Sequence, residues 1–139
     1  MHTKRFSGGF TLVEILIVVA IVAIIASIAY PSYQDSITRS RRVAAAACLT
    51  ETAHNMERGF TVSMKYPTTL PAISCMNETA GFYTYALDAS ASSNTAFKVQ
   101  ATPVGPQDTA DSAKCGVLSL DHKGVRAASG SQGVDTCWK

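Results

Sequence analysis

Charge imbalance is the first thing this chain of 139 residues lacks. With Lys4 and Arg5 set aside, the remaining ten Lys and Arg balance the ten Asp and Glu. Bulk electrostatics therefore gives no argument for nucleic-acid binding. No HExxH, GxSxG or glycine-rich phosphate loop occurs, so metalloprotease, hydrolase and nucleotide-cradle chemistry have no support in the motifs. None of the cysteines Cys48, Cys75, Cys115 and Cys137 stands in a CxxC pair, which argues against zinc and thioredoxin-type chemistry. Asp108 and Asp111 are too few to suggest a calcium loop. No enzymatic activity, metal or cofactor is expected.

Polar residues are nearly missing from one stretch. Phe10 to Ala29 is apolar except at Thr11, Glu14 and Ser27. At about 1.5 Å per residue, a helix of this length spans a ~30 Å hydrocarbon core. Glu14 contradicts its surroundings. An ionised side chain in lipid costs roughly 2.5–3.5 kcal/mol, which marks it as a functional position with a partner. Lys4 and Arg5 precede the stretch and favour a cytoplasmic amino terminus. A secretory signal cleaved near Ala29 and a plain one-pass anchor are the competing readings. The length of the run and the presence of Glu14 oppose the first.

Gly9-Phe10-Thr11-Leu12-Val13-Glu14, followed by ILIVVAIVAIIASIAYPSYQD, closely resembles the amino terminus of type IV prepilins. The resemblance implies a leader over residues 1–9 and cleavage by a prepilin peptidase between Gly9 and Phe10. It implies N-methylation of Phe10. It also implies pairing of Glu14 with the amino group of a neighbouring subunit during assembly. The chemistry agrees, because cleavage creates an ammonium at Phe10 and Glu14 lies one helical turn further on. Such a pair adds little net stability, but removing one partner strands a charge, so it sets register. The expected location is the inner membrane, single-pass with the head in the periplasm, and then an extracellular pilus. The expected partners are other pilin subunits, the peptidase/N-methyltransferase and the inner-membrane assembly platform.

Residues 10–30 form the transmembrane, assembling half of a long helix, and residues 31–139 form the head. Pro31 removes a helical hydrogen bond and should bend or loosen the helix. Continuation is preferred over an end at Tyr30, because Leu49, Ala53, Met56 and Phe60 form one apolar stripe. Gly59 is the expected stop. Residues 60–81 read as a loop. Four strands follow, at Phe82–Leu87, Phe97–Ala101, Gly116–Leu120 and Val125–Ala127. A polar loop over Pro103–Ala113 separates the second and third, and Ser129–Gly133 is a closing loop. The fold class is α+β: the type IV pilin fold, a long amino-terminal helix packed on a small antiparallel sheet.

An even cysteine count in a small exported head reads as two disulfides. Three pairings are possible, and the pairing in chain order, 48–75 and 115–137, is the one adopted. Each bridge would contribute about 3 kcal/mol. CGVLSLD at 115–121, Gly124 and the terminal Cys137-Trp138 resemble PilE-like and ComP-like minor pilins.

The function expected first is a minor structural subunit of a type IV pilus, serving pilus biogenesis, twitching motility, adhesion or DNA uptake. Two alternatives remain: a ComP-like DNA-binding pilin for natural transformation, and a type II secretion pseudopilin. For DNA or partner contacts the basic residues are Arg39, Arg41 and Arg42 on the helix, and Lys98, Lys114, Lys123, Arg126 and Lys139 on the head. Those of the head are scattered among acids. Phosphate binding needs a contiguous patch.

Overall fold

The computed structural model describes residues 9–139. The expected leader residues 1–8, with Lys4 and Arg5, lie outside the described residues. Two compact units divide the chain, one ending at Asp35 and the other spanning Ser36–Lys139. Helix α1, Leu12–Ser63, contributes residues to both.

In the first unit α1 starts where a side chain is ready to cap it. The Glu14 amide donates to Thr11 Oγ1 at 3.2 Å, which satisfies one of the amides a helix start leaves unbonded. From Phe10, 79% exposed, to Ile28, 72% exposed, the large apolar side chains lie bare. Ser27 turns its hydroxyl inward to the Ile24 carbonyl at 2.7 Å, so the segment offers almost no polar group to its surroundings. This part of α1 is long and apolar enough to cross a membrane. Pro31 lies inside α1, so the helix does not end at Tyr30.

In the second unit the buried stripe of α1 runs Thr38, Arg42, Ala45, Leu49, Thr52 and Met56. That spacing of three and four residues keeps one face on the core. Ala53 and Phe60 flank the stripe and pack on the same core. The sheet that covers it is antiparallel in the order β1-β2-β3-β4. Its strands are β1 Tyr83–Leu87, β2 Lys98–Pro103, β3 Leu118–Asp121 and β4 Arg126–Ala128. The register aligns Leu87 with Val99 and Val99 with Leu120, and beside that row Tyr85, Ala101, Leu118 and Ala128. These rows bring the apolar side chains of each strand onto one face.

Three expectations need correction. Gly59 does not stop the helix, which runs on to Ser63. A Cβ at residue 59 would stand 2.8 Å from the Pro67 ring, so glycine serves the close approach of the next loop. The loop expected over 60–81 therefore starts later, and it contains a short helix, α2 Ser74–Thr79. The polar stretch 103–113 likewise holds a helix, α3 Pro106–Asp111, opened by Gly105 at φ 58° and by Pro106, residues suited to a sharp entry and a first helical position. Its Gln107 and Asp111 are fully buried. A last turn, α4 Val134–Cys137, follows the closing loop.

Disulfides join Cys48 to Cys75 and Cys115 to Cys137. The first ties α2 to α1, and the second ties α4 to the loop before β3. Phe60, Tyr66 and Phe97 form an aromatic cluster, with Tyr66 4.6 Å from Phe60 and meeting Phe97 edge-on at 4.8 Å between centroids.

Candidate functional site

The three arginines of α1 do not form one basic surface. Arg39 is exposed. Arg41 lies over the Phe82 ring, its guanidinium carbon 3.7 Å from the ring centre, a cation–π contact. Arg42, expected beside them as a DNA or partner contact, is instead buried. Its Nη1 lies 2.5 Å from Asp111 Oδ1, and both side chains are buried.

Asp111 is the centre of a polar network inside the head. Its Oδ2 accepts from the Tyr83 hydroxyl and from Gln107 Nε2, each at 3.3 Å. Gln107 Nε2 also lies 3.0 Å from the Thr38 carbonyl and 3.1 Å from the Tyr83 hydroxyl. The Asp111 carbonyl receives the amides of Lys114, Cys115 and Gly116 at 3.0, 2.8 and 3.0 Å. Burial pushes the Tyr83 hydroxyl well above its ordinary pKa; the Gln107 bond opposes the shift and the Asp111 charge adds to it. A signal for this network was present in the chain. Stepping back from Leu49 by 4, 7 and 11 residues along the apolar stripe reaches Ala45, Arg42 and Thr38.

The head cations divide in two. Lys98 faces Asp88 at 3.5 Å, and Asp88 also accepts from Gln100. The others lie along the β3–β4 hairpin and at the carboxyl terminus. Cys137 is bonded to Cys115, beside Lys114. Trp138 follows, and its Nε1 donates to the Ala127 carbonyl at 3.1 Å. The Arg126 guanidinium carbon lies 5.2 Å from the Trp138 ring centre. Lys139 is the next residue, and Lys123 lies in the turn between β3 and β4. Lys114 precedes β3 and Lys123 follows it, so these two lie at opposite ends of the β3–β4 hairpin. Opposite charge is close by: Asp121 Oδ1 accepts the Lys123 and Val125 amides at 2.9 Å each.

At the other end of the chain Gly9 and Phe10 lie just ahead of α1, and Glu14 is exposed in its first turn. No group of three or more His, Cys, Asp or Glu that could hold a metal occurs among the described residues.

Residues 31–119 match the sequence profile described as "Type IV minor pilin ComP, DNA uptake sequence receptor". Residues 4–30 match the prokaryotic N-terminal methylation motif. No curated protein sequence matches the chain. Among solved structures it is similar to a type IV pilin from Shewanella oneidensis, with 29% identity and a TM-score of 0.51 over 73% of this chain and 98% of that one. It shares its fold with the non-core minor pilin PilV of Neisseria meningitidis, at 23% identity and a TM-score of 0.50 over 69% and 90% of the two chains. With its head matched over most of its length, its amino terminus carrying the methylation motif and its long helix packed on a four-stranded antiparallel sheet, the chain belongs to the ComP family of type IV minor pilins.

Proposed function

We propose that this chain is a minor pilus subunit whose head binds DNA. Before assembly the apolar half of α1 holds it in the inner membrane with the head in the periplasm. A prepilin peptidase cuts between Gly9 and Phe10 and methylates the new amino group. The subunit then leaves the bilayer for the pilus. Glu14 pairs there with the Phe10 ammonium of a neighbouring subunit, because a carboxylate leaving water needs an opposite charge. Other pilin subunits and the assembly platform are its partners, and DNA is its cargo.

The observation that carries the DNA reading is the Arg126 guanidinium over the Trp138 ring, with Lys139 next in the chain and Lys123 in the turn just before β4. Cationic groups beside an aromatic ring suit phosphate and base contacts together. The family description supports the same reading. The profile ends at Ser119, so these cations lie beyond the matched segment. Arg42 and Lys98, neutralised by Asp111 and Asp88, take no part.

The test is a gel shift of the full chain in detergent with duplex DNA at two salt concentrations. Binding at low salt that weakens steeply as salt rises is expected. No shift at low salt would remove the receptor reading and leave the pilus subunit standing. Mass spectrometry of the mature protein decides the processing: a methylated Phe10 start supports it, and a Tyr30 start overturns it.

A further inference from the structure

Between α1 and the β3–β4 turn lies a cavity of about 220 Å³. Five ionisable side chains line it: His54 and Glu57 from α1, Asp121 at the end of β3, His122 in the turn and Arg126 on β4. The two acids are held in place. Glu57 Oε1 accepts the Tyr66 hydroxyl at 2.8 Å, and Asp121 Oδ1 accepts the Lys123 and Val125 amides at 2.9 Å each. The His122 amide donates to the Phe97 carbonyl at 3.0 Å. Its half-exposed ring lies 6.4 Å from the rings of Tyr66 and Phe97. His54 is exposed on α1.

We propose that acid strengthens DNA binding by this head, through protonation of His54 and His122 beside Arg126. The inference rests on the DNA-binding reading and adds a pH response to the same site. Three observations support it. First, Arg126 belongs both to the cavity and to the Trp138 contact, so a phosphate on that cation meets the charge of the cavity as well. Second, the histidines set the sign of that charge. With both neutral, Glu57 and Asp121 outnumber Arg126 by one; with both protonated, the three cations outnumber the two acids by one. Third, histidine is the side chain whose charge ordinarily changes between about pH 5 and 8. Carboxylates ordinarily titrate near pH 4 and arginine stays charged.

Charges beyond the lining do not offset the reversal. On α1, Glu51 and Arg58 stand one turn to either side of His54 with opposite signs. Lys98, next to Phe97, faces Asp88. Lys123 lies in the turn between His122 and Arg126, and Lys139 follows Trp138; both add positive charge at any pH in this range. With neutral histidines the cavity therefore opposes the phosphates that Arg126 attracts, and with charged ones it adds to the attraction. A cavity of this volume is narrower than the Debye length of about 8 Å at physiological salt, so its charge is little screened.

The test follows the fluorescence anisotropy of a labelled DNA duplex with the full chain in detergent, at about pH 8 and about pH 5.5, either side of the ordinary histidine pKa of about 6.5. The parent chain should bind about tenfold more tightly at the lower pH, the gain when one proton is held a pKa unit more tightly in the complex. The slope of log affinity against log salt should steepen there by roughly 0.9 for each histidine that meets a phosphate. His54→Gln/His122→Gln should match the parent at the higher pH and lose both the gain and the steepening. His54→Gln alone changes only an exposed position, so it should keep the fold and lose part of the gain. Both variants retain His2, which therefore cannot account for the difference. Equal affinity of the parent at the two pH values would overturn the pH response and leave the DNA-binding reading intact. A gain that survives the double variant would belong to other groups and overturn it as well. Failure to bind at either pH in low salt would remove both readings.

Discussion

Arg42 Nη1 and Asp111 Oδ1 meet at 2.5 Å inside the head, across 69 residues of chain. Asp111 also holds Tyr83 on β1 and the amides that lead into the Cys115 disulfide. The carboxylate thus joins helix and sheet, and the same residue's backbone carbonyl holds the loop before β3. A buried ion pair of this kind contributes less than its geometry suggests, since both ions lose water. Losing one member leaves the other charge stranded. Asp111→Ala should therefore cost about 3–5 kcal/mol, read by denaturant unfolding followed through Trp138 fluorescence. The double variant Arg42→Met/Asp111→Leu should recover most of that loss. If Asp111→Ala unfolds at the parental denaturant concentration, the pair does not organise the head.

Gly59 sits in the last turns of α1 with the Pro67 ring against it. Alanine would gain about 1 kcal/mol in helix propensity, but its Cβ would stand 2.8 Å from Pro67 Cγ. A proline ring fixed in its loop cannot swing aside, so overpacking at about 1–3 kcal/mol outweighs propensity. Gly59→Ala should destabilise the head by roughly 1 kcal/mol, and Pro67→Ala should restore it in combination. A Gly59→Ala variant more stable than the parent would mean that glycine is not there for the close approach.

Gly59 also shows where reading the chain works and where it stops. Leu49 and Met56 announce a buried stripe because period and hydropathy agree, and both are fully buried. Val99, Leu118 and Leu120 announce strands for the same reason. A glycine after an amphipathic stretch carries the signature of a helix end, and only the distant Pro67 explains why this one lies inside the helix. Gln107 and Asp111 have the composition of a surface loop. Their burial depends on Arg42 and Tyr83, which local pattern cannot reach. The cations of 114–139 are a similar case. Their spacing is uninformative until the fold sorts them: Arg126 meets Trp138 near the carboxyl terminus, and β3 separates Lys114 from Lys123.

Burial holds the Tyr83 hydroxyl above its ordinary pKa in the folded chain, and Tyr85 is shifted the same way. Unfolding returns both to about 10. Below that pH both states keep their protons and the full stability is present. Above it the unfolded chain releases protons that the folded chain retains, so stability falls as pH rises. Unfolding midpoints should be flat from neutrality to about pH 9.5 and decline beyond pH 10. Tyr83→Phe should lower stability at pH 7 through its lost hydrogen bonds and flatten the alkaline decline. A decline of unchanged steepness in that variant would assign the effect to another group.

Glu14 stands in a local capping pattern that competes with the assembly role proposed for it. Its amide donates to Thr11 Oγ1, and Thr11-Leu12-Val13-Glu14 has the spacing of a capping box, in which a glutamine serves as well as a glutamate. Glu14→Gln therefore separates the two roles, because it preserves the cap and removes the charge. If Glu14 only starts the helix, this variant should enter pili like the parent. Pairing with a neighbour's ammonium needs the charge itself, and a neutral amide leaves that ammonium without a counter-ion in apolar surroundings. The expected outcome is an unchanged level of processed Glu14→Gln subunit in the membrane and at least a tenfold drop in sheared pili, a drop that corresponds to about 1.4 kcal/mol. Quantitative immunoblots of the two fractions measure both. Parental amounts in the pili would confine Glu14 to the cap and leave the register of assembly to the apolar helices alone.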